Sequence, residues 1–321
     1  MTRNRSFFFL LVFFFVAVIA WASYAMIGGE QEEPPYQVSV IVSDSNNDRW
    51  TAMRQGLEQA ARDCNVELNY VSTGRLGSPR EETALIRREL EGGAQGIIVQ
   101  MISDQPQEMG REAPFAQVAV VLLESDAGLG GSYAVVGPDN AEIGRAVSEA
   151  LIRDFGEALS GKKIGILSGG SSGFAMQQRQ QGLIDGLREQ QAEIVWNVSD
   201  TGEEAEGLAR MGEVDIMIAL DNDGTERMID AMQAGGDEKP GCALYGVGGS
   251  EKAVYYLDKG VIKTLVVPNE FQMGYQSMEA VASQLQYHTE SAQNYEVDYL
   301  VVDQGNMYDK KNQKLLFPIV Q

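Results

Sequence analysis

Short runs rich in Val and Ile alternate with amphipathic stretches from Gln37 onward, and nothing else in the chain narrows its possible folds as much. Apolar runs of this kind become strands only when both faces of their sheet are covered, and parallel neighbours must be joined by a crossover, usually a helix. The pattern therefore predicts an α/β fold of parallel sheets flanked by helices. Strands are expected at Gln37–Ser43, Glu67–Val71, Gly96–Gln100, Val118–Leu123 and Ala134–Val136 in one sheet. A second sheet is expected from Lys163–Leu167, Glu193–Val198, Ile216–Leu220, Ala243–Val247 and Thr264–Val267. Helices are expected near 141–155, 173–190, 203–211, 224–234 and 250–259, then a helix near 271–287 and a strand near 296–302 crossing between the sheets.

A chain of 321 residues exceeds what one compact core usually holds and suits two lobes of roughly 100 to 150 residues each. Two lobes imply a cleft. In open parallel sheets the loops at the carboxyl ends of strands line such a cleft, because each following helix begins there with free N–H groups. Ligand-reading residues are expected in those loops.

The N-terminus sets the compartment. Arg3 and Arg5 precede an uncharged run from Phe7 to Ile27, which as a helix is long enough to cross ~30 Å of hydrocarbon. Basic residues before the run and Glu30, Glu32 and Glu33 after it place the body outside the cytoplasm, at a cell surface or in a periplasm. Ala20-Trp21-Ala22 offers a signal-peptidase spacing, so both a cleaved signal peptide and a retained membrane anchor stay open. No Cys lies in or just after the run, so a lipoprotein is not expected. Residues 28–35 form a polar linker containing Pro34 and Pro35.

Lys and Arg number 25 against 46 Asp and Glu, for a net charge of -21, and none of the acids precedes Glu30. A body this acidic repels phosphate backbones, which excludes nucleic acid as a partner. Cys64 and Cys242, the only cysteines, are expected to be buried thiols and not a disulfide framework or metal cluster.

Several local motifs bear on chemistry. The loop Asp44-Ser45-Asn46-Asn47-Asp48-Arg49-Trp50 is dense in hydrogen-bonding groups and ends on a large aromatic ring, as polyol recognition requires. The same loop can also be read as a helix cap. It is not a calcium loop, because Arg49 stands at the turn glycine and Gln55 at the bidentate acid. Asp221-Asn222-Asp223-Gly224 fails the same test, with Glu226 and Met232 at those positions, and reads as a ligand-facing loop or cap. The glycines of 168–173 and 246–250 lack phosphate-cradle spacing and read as tight turns. His288 has no nucleophile signature near it in sequence and is expected at the surface. No catalytic residue, metal ligand or cofactor is therefore expected, and an enzyme on this scaffold is the lesser reading.

Taken together, VSVIVSDSNNDRWTAMRQGLEQAA, GIIVQ, IGILSGGSSGFAMQQRQQGLIDGL, IMIALDNDGTERMIDAM and LYGVGGSEKAVYYLDKGVIKTLVVPNEFQMGYQSM resemble the type I periplasmic sugar-binding family related to ribose-binding protein. The resemblance covers residues 37 to 302. It implies two Rossmann-like lobes joined by three crossovers near 137–140, 268–270 and 294–303. The implied organisation is a helix at 1–27, a linker at 28–35, a first lobe of 36–138 plus 270–294, and a second lobe of 139–269 plus 295–321. It also implies a monosaccharide or related polyol between Asn46, Asp48, Trp50 and Glu124 of one lobe and Gln177, Arg179, Asn222 and Asn269 of the other. No helix-turn-helix sequence precedes the body, so the DNA-regulating relatives of this fold are not the expected comparison.

Departures from the family's pattern concern specificity. Glu124-Ser125 stands for the common Asp-Arg, Gln177-x-Arg179 for Arg-x-Arg, Gly248 for an Asp, and Pro268-Asn269 for a pocket Gln. They imply a ligand other than ribose. The implied partner is an ABC-type permease or, alternatively, a membrane sensor histidine kinase that reads the ligand-bound state.

Overall fold

A computed structural model of the chain describes residues 3–27, 34–45, 48–102, 118–124, 126, 133–168, 173–199, 211–234, 241–287 and 293–317. The segment up to Pro35 and the body Tyr36–Gln321 are separate compact units. In the first, helix α1 runs Arg3–Ile27. The side chains of 3–6, 9–10 and 22–27 lie outside the described residues, and among the described residues no helix is long and apolar enough to cross a membrane. The membrane role of Phe7–Ile27 is thus carried by the sequence alone.

The body holds two six-stranded sheets. The first contains β1 (Tyr36–Ile41), β2 (Val66–Tyr70), β3 (Gly96–Val99), β4 (Ala119–Leu123), β5 (Ala134–Gly137) and β11 (Tyr295–Glu296), in the order β11-β5-β4-β3-β1-β2. The second contains β6 (Lys163–Ser168), β7 (Glu193–Ser199), β8 (Ile216–Ala219), β9 (Ala243–Val247), β10 (Ile262–Pro268) and β12 (Tyr299–Asp303), in the order β12-β10-β9-β8-β6-β7. Apart from one edge strand added by the late crossing, each sheet follows the same doubly wound order. That order places a crevice at the carboxyl ends, where successive strands step to opposite sides of the first.

Among the described residues all pairings are parallel but one, since β12 runs antiparallel to β10. The expected strand at 296–302 is in fact two. Residues 295–296 pair with β5 in the first sheet, and 299–303 pair with β10 in the second. The first sheet thus reaches Glu296, beyond the boundary expected at 294, because the backbone needs a partner up to the point where it crosses. The helix expected at 203–211 and the surface position of His288 lie outside the described residues.

The α-helices of the body among the described residues are α2 (Thr51–Asp63), α3 (Pro79–Glu91), α4 (Asn140–Phe155), α5 (Gly173–Leu187), α6 (Asn222–Ala234), α7 (Glu251–Asp258), α8 (Glu270–Tyr287) and α9 (Lys310–Leu316). Their starts are written locally. Ser78 accepts from the Glu81 N–H at 3.3 Å with Pro79 at the first helical position, and Asp139 accepts from the Glu142 N–H at 2.9 Å. Strands such as β3 and β8 are buried at every residue, as sheets covered on both faces require. Cys64 and Cys242 are half-buried, free thiols, more accessible than expected.

The two lobes repeat one packing device. A Cβ at Gly56 of α2 would strike the Phe271 carbonyl of α8, and one at Gly274 would strike the Met53 carbonyl. In the second lobe a Cβ at Gly144 of α4 would strike the Arg179 carbonyl of α5, and one at Gly182 the Ala141 carbonyl. Reciprocal glycines bring each helix pair into backbone contact directly beside a crossing. The placement of Arg179, on which the site depends, follows from this contact.

Candidate functional site

The loop after β1 is pinned before it reaches the cleft. Ser45 and Thr73 exchange hydrogen bonds, with the Thr73 N–H donating to Ser45 Oγ at 2.8 Å, and Arg54 Nη2 donates to the Ser45 carbonyl at 2.9 Å. From this anchored loop Arg49 reaches Glu124, the residue that follows β4, with Nη2 to Oε1 at 2.7 Å. The other oxygen of Glu124 accepts from Gln100 Nε2, at the end of β3, at 2.5 Å. Three neighbouring strand ends therefore converge on one carboxylate.

Glu124 occupies the left-handed region, at φ 65°, which is costly for a residue with a side chain. It is held there from several sides. Gly137 leaves room for its backbone, and Asn140 Nδ2 donates to its carbonyl at 2.7 Å. Asn140 Oδ1 then accepts from Arg179 Nε at 2.8 Å, and Arg179 Nη1 donates to the Leu220 carbonyl at 3.0 Å. Arg179 Nη2 lies 3.9 Å from Glu124 Oε1. A continuous polar chain thus runs from the first lobe through the first crossing to the end of β8 in the second.

Electrostatics follow from this geometry. Burial works to raise the proton affinity of Glu124, but Arg49 and Arg179 outweigh it and hold the carboxyl below its ordinary range. For Arg49 burial is opposed by Glu124, Glu270, Asp223 and Asp221, and its proton is held more tightly than usual. Arg179 shifts the other way, through burial and the repulsion of Arg49, with Glu124 opposing.

The expected site residues fare differently. Glu124 and Arg179 come together. Asn222 lies at the end of β8, but its Oδ1 accepts from the Ser250 N–H at 3.1 Å and its Nδ2 donates to Glu226 at 3.2 Å. Asn269 caps α8, accepting from the Gln272 N–H at 3.0 Å. Asn46 lies outside the described residues, as does the side chain of Asp48.

Trp50 and Gln177 lie in surroundings the sequence did not suggest. Trp50 is 1% exposed and belongs to the first-lobe core. Its indole N–H donates to the Ser43 carbonyl at 3.3 Å, and the Arg49 guanidinium lies 3.9 Å over its ring. The face reserved for a sugar is thus taken by a cation. Gln177 is exposed while Arg179 is 3% exposed, because positions two apart on a helix face different ways.

Arg49, Gln100, Asn140 and Glu270 were not among the expected ligands. Arg49 stands in the polar loop after β1, Gln100 closes the apolar strand GIIVQ, and Asn140 and Glu270 stand at the expected crossings, so each was legible as a place but not as a ligand. Gly248 is explained by its surroundings. It sits at φ 118°, and a Cβ there would meet Asn222 Oδ1 at 2.5 Å, so no Asp fits.

The family model described as a periplasmic binding protein domain matches residues 38–289. The chain belongs to that family. No curated protein matches this binding protein, but solved structures do. A carbohydrate transporter solute binding protein from Agrobacterium radiobacter, in complex with D-arabinose, is 17% identical, with a TM-score of 0.72 over 88% of this chain and 99% of that one. GanP, a glucose-galactose binding protein from Geobacillus stearothermophilus, is 19% identical, with a TM-score of 0.73 over 86% of this chain and 100% of that one. The XylFII–LytSN complex contains a chain 16% identical, with a TM-score of 0.71 over 84% of this chain and 98% of that one. At these identities the likeness establishes a shared fold, and the resemblance read from the sequence is borne out at the level of family and fold.

Proposed function

We propose that this periplasmic binding protein works outside the cytoplasm, closing its two lobes over a monosaccharide or related polyol and delivering it unaltered to an ABC-type permease. The observation that carries the reading is the buried polar chain Arg49–Glu124–Arg179 at the facing carboxyl ends of both sheets. Sugar hydroxyls both donate and accept, and a site of paired guanidinium, carboxylate and amide groups serves both roles. The D-arabinose complex and the glucose-galactose binding protein of the same fold support the ligand class.

In this reading Glu124, Arg179, Asn222 and Asn269 line the site with Asn46 and Asp48, and Arg49 joins them. The lobes move about the crossings near 137–140, 268–270 and 294–303, and closure reports occupancy because the ligand makes contacts in the closed form that the open form lacks. Helix α1 serves as a signal or membrane anchor, since Phe7–Ile27 carries no charge. Isothermal titration of the full-length protein with D-arabinose, D-glucose and D-galactose tests the reading. Saturable binding to at least one is expected, and absence of heat and of thermal stabilisation with all three rejects the ligand class.

A second reading has the closed form presented to a sensor histidine kinase. The fold's occurrence in the XylFII–LytSN complex favours some protein partner of that general kind. Deleting the gene separates the two readings, since transport predicts lost uptake and sensing predicts a lost transcriptional response with uptake intact.

A further inference from the structure

Glu270 opens α8 at the second crossing, between β10 of one sheet and the helix that covers the other. The preceding residue fixes its place. The Asn269 N–H donates to the Asp298 carbonyl at 2.9 Å, which ties the second crossing to the third, while Asn269 Oδ1 starts the helix. Glu270 is half-buried. Arg49 from the loop after β1, Glu124 from the end of β4 and Arg179 from α5 are all near enough to alter its charge, and Glu270 in turn acts on Tyr70 of β2.

Among the described residues no group hydrogen-bonds to the Glu270 carboxylate, although its neighbours Glu124 and Asn269 are both satisfied. Neither of its oxygens is sealed from solvent, so the carboxylate is hydrated and its lone pairs can accept from a ligand hydroxyl. We propose that Glu270 is a ligand-reading residue, taking a ligand hydroxyl from the hinge side of the cleft. The proposal rests on the sugar-binding reading given above.

Such a contact makes binding sensitive to pH. Burial pushes the Glu270 carboxyl up to about 7, with Arg49 and Arg179 opposing and Glu124 reinforcing. A neutral sugar closing over it strips water and adds no charge, which favours the protonated acid. Affinity is therefore full on the acid side and falls as pH rises through about 7. If the closed complex holds the proton ten times more tightly, affinity drops about fivefold between pH 6 and pH 8.

The test is calorimetric titration of the full-length protein in detergent with D-arabinose, D-glucose and D-galactose at pH 6, 7 and 8, comparing wild type, Glu270→Gln and Glu270→Ala. The Gln variant, which copies the protonated acid, is expected to keep the affinity seen at pH 6 and lose the pH slope. The Ala variant is expected to bind about tenfold more weakly at pH 6, as loss of one well-made hydrogen bond requires. A Gln variant with the wild-type slope, or an Ala variant of unchanged affinity, overturns the assignment while leaving sugar binding intact. Failure of the wild type to bind any of the three sugars removes the underlying reading and this inference with it.

Discussion

Replacing Glu124 by Gln tests the electrostatic core of the site without any ligand. The carboxylate lies 2.7 Å from Arg49 and 3.9 Å from Arg179, and the side chains of Arg49 and Glu124 are only 9% and 4% exposed. Glutamine keeps the shape but removes the charge, leaving two buried guanidinium groups facing each other. Loss of one partner from a buried ion pair costs about 3 to 5 kcal/mol, far above the ~0 to 1 kcal/mol of an exposed pair. Urea unfolding followed by tryptophan fluorescence measures it, and at about 2 to 4 °C per kcal/mol the melting temperature should fall by roughly 6 to 20 °C.

The pH profile adds a second arm. The folded-state pKa of Glu124 lies below its unfolded value, so its contribution is complete above the unfolded value of about 4.3 and is lost as pH falls through the lower folded one. The Gln variant should lack that acid-side loss. Adding Arg49→Met should recover part of the stability, since it removes a buried positive charge that repels Arg179. A single-variant loss under about 1 kcal/mol would refute the claim that this pair is desolvated.

Other predictions concern groups outside the polar chain. Glu82 is fully buried on α3, and one oxygen accepts from the Ile102 N–H at 3.1 Å while Oε2 has no partner. Burial pushes this carboxyl up to about 7, so the folded state holds the proton more tightly than the unfolded chain and stability falls as pH rises from about 4.3 to about 7. Glu82→Gln should flatten that decline and leave the protein about 3 kcal/mol more stable than wild type at pH 8; equal pH profiles in chemical denaturation reject the reading. Trp50→Ala should cost about 3 to 5 kcal/mol in the ligand-free protein, because the ring is core. A ligand-free melting temperature unchanged by that substitution would return Trp50 to the role of a stacking platform.

Periodicity alone was enough to read the two-sheet plan, because strands covered on both faces must be apolar throughout and their crossovers amphipathic. Ile97, Ile98 and Val99 show this in β3, as do Ile216, Met217 and Ile218 in β8. The loops were legible as places, since strand ends gather by topology. Glu124 and Arg179 could be named from the sequence because they stand at such ends or at a family motif. What these side chains do there was not legible. Whether Trp50 faces a guest or the core depends on the twist of one loop fixed by Ser45 and Thr73, whose contact spans 28 residues.

The amino-acid order by itself determined the class of fold, the acidic body and the apolar run before it, since each is a property of spacing and charge along the chain. Only the tertiary structure decided that Arg49 covers Trp50, that Asn222 leaves no room for a side chain at 248, and that Glu270 lies among two arginines and a second carboxylate. These facts depend on distances between residues remote in sequence. Close packing sets such distances, and no local pattern records them.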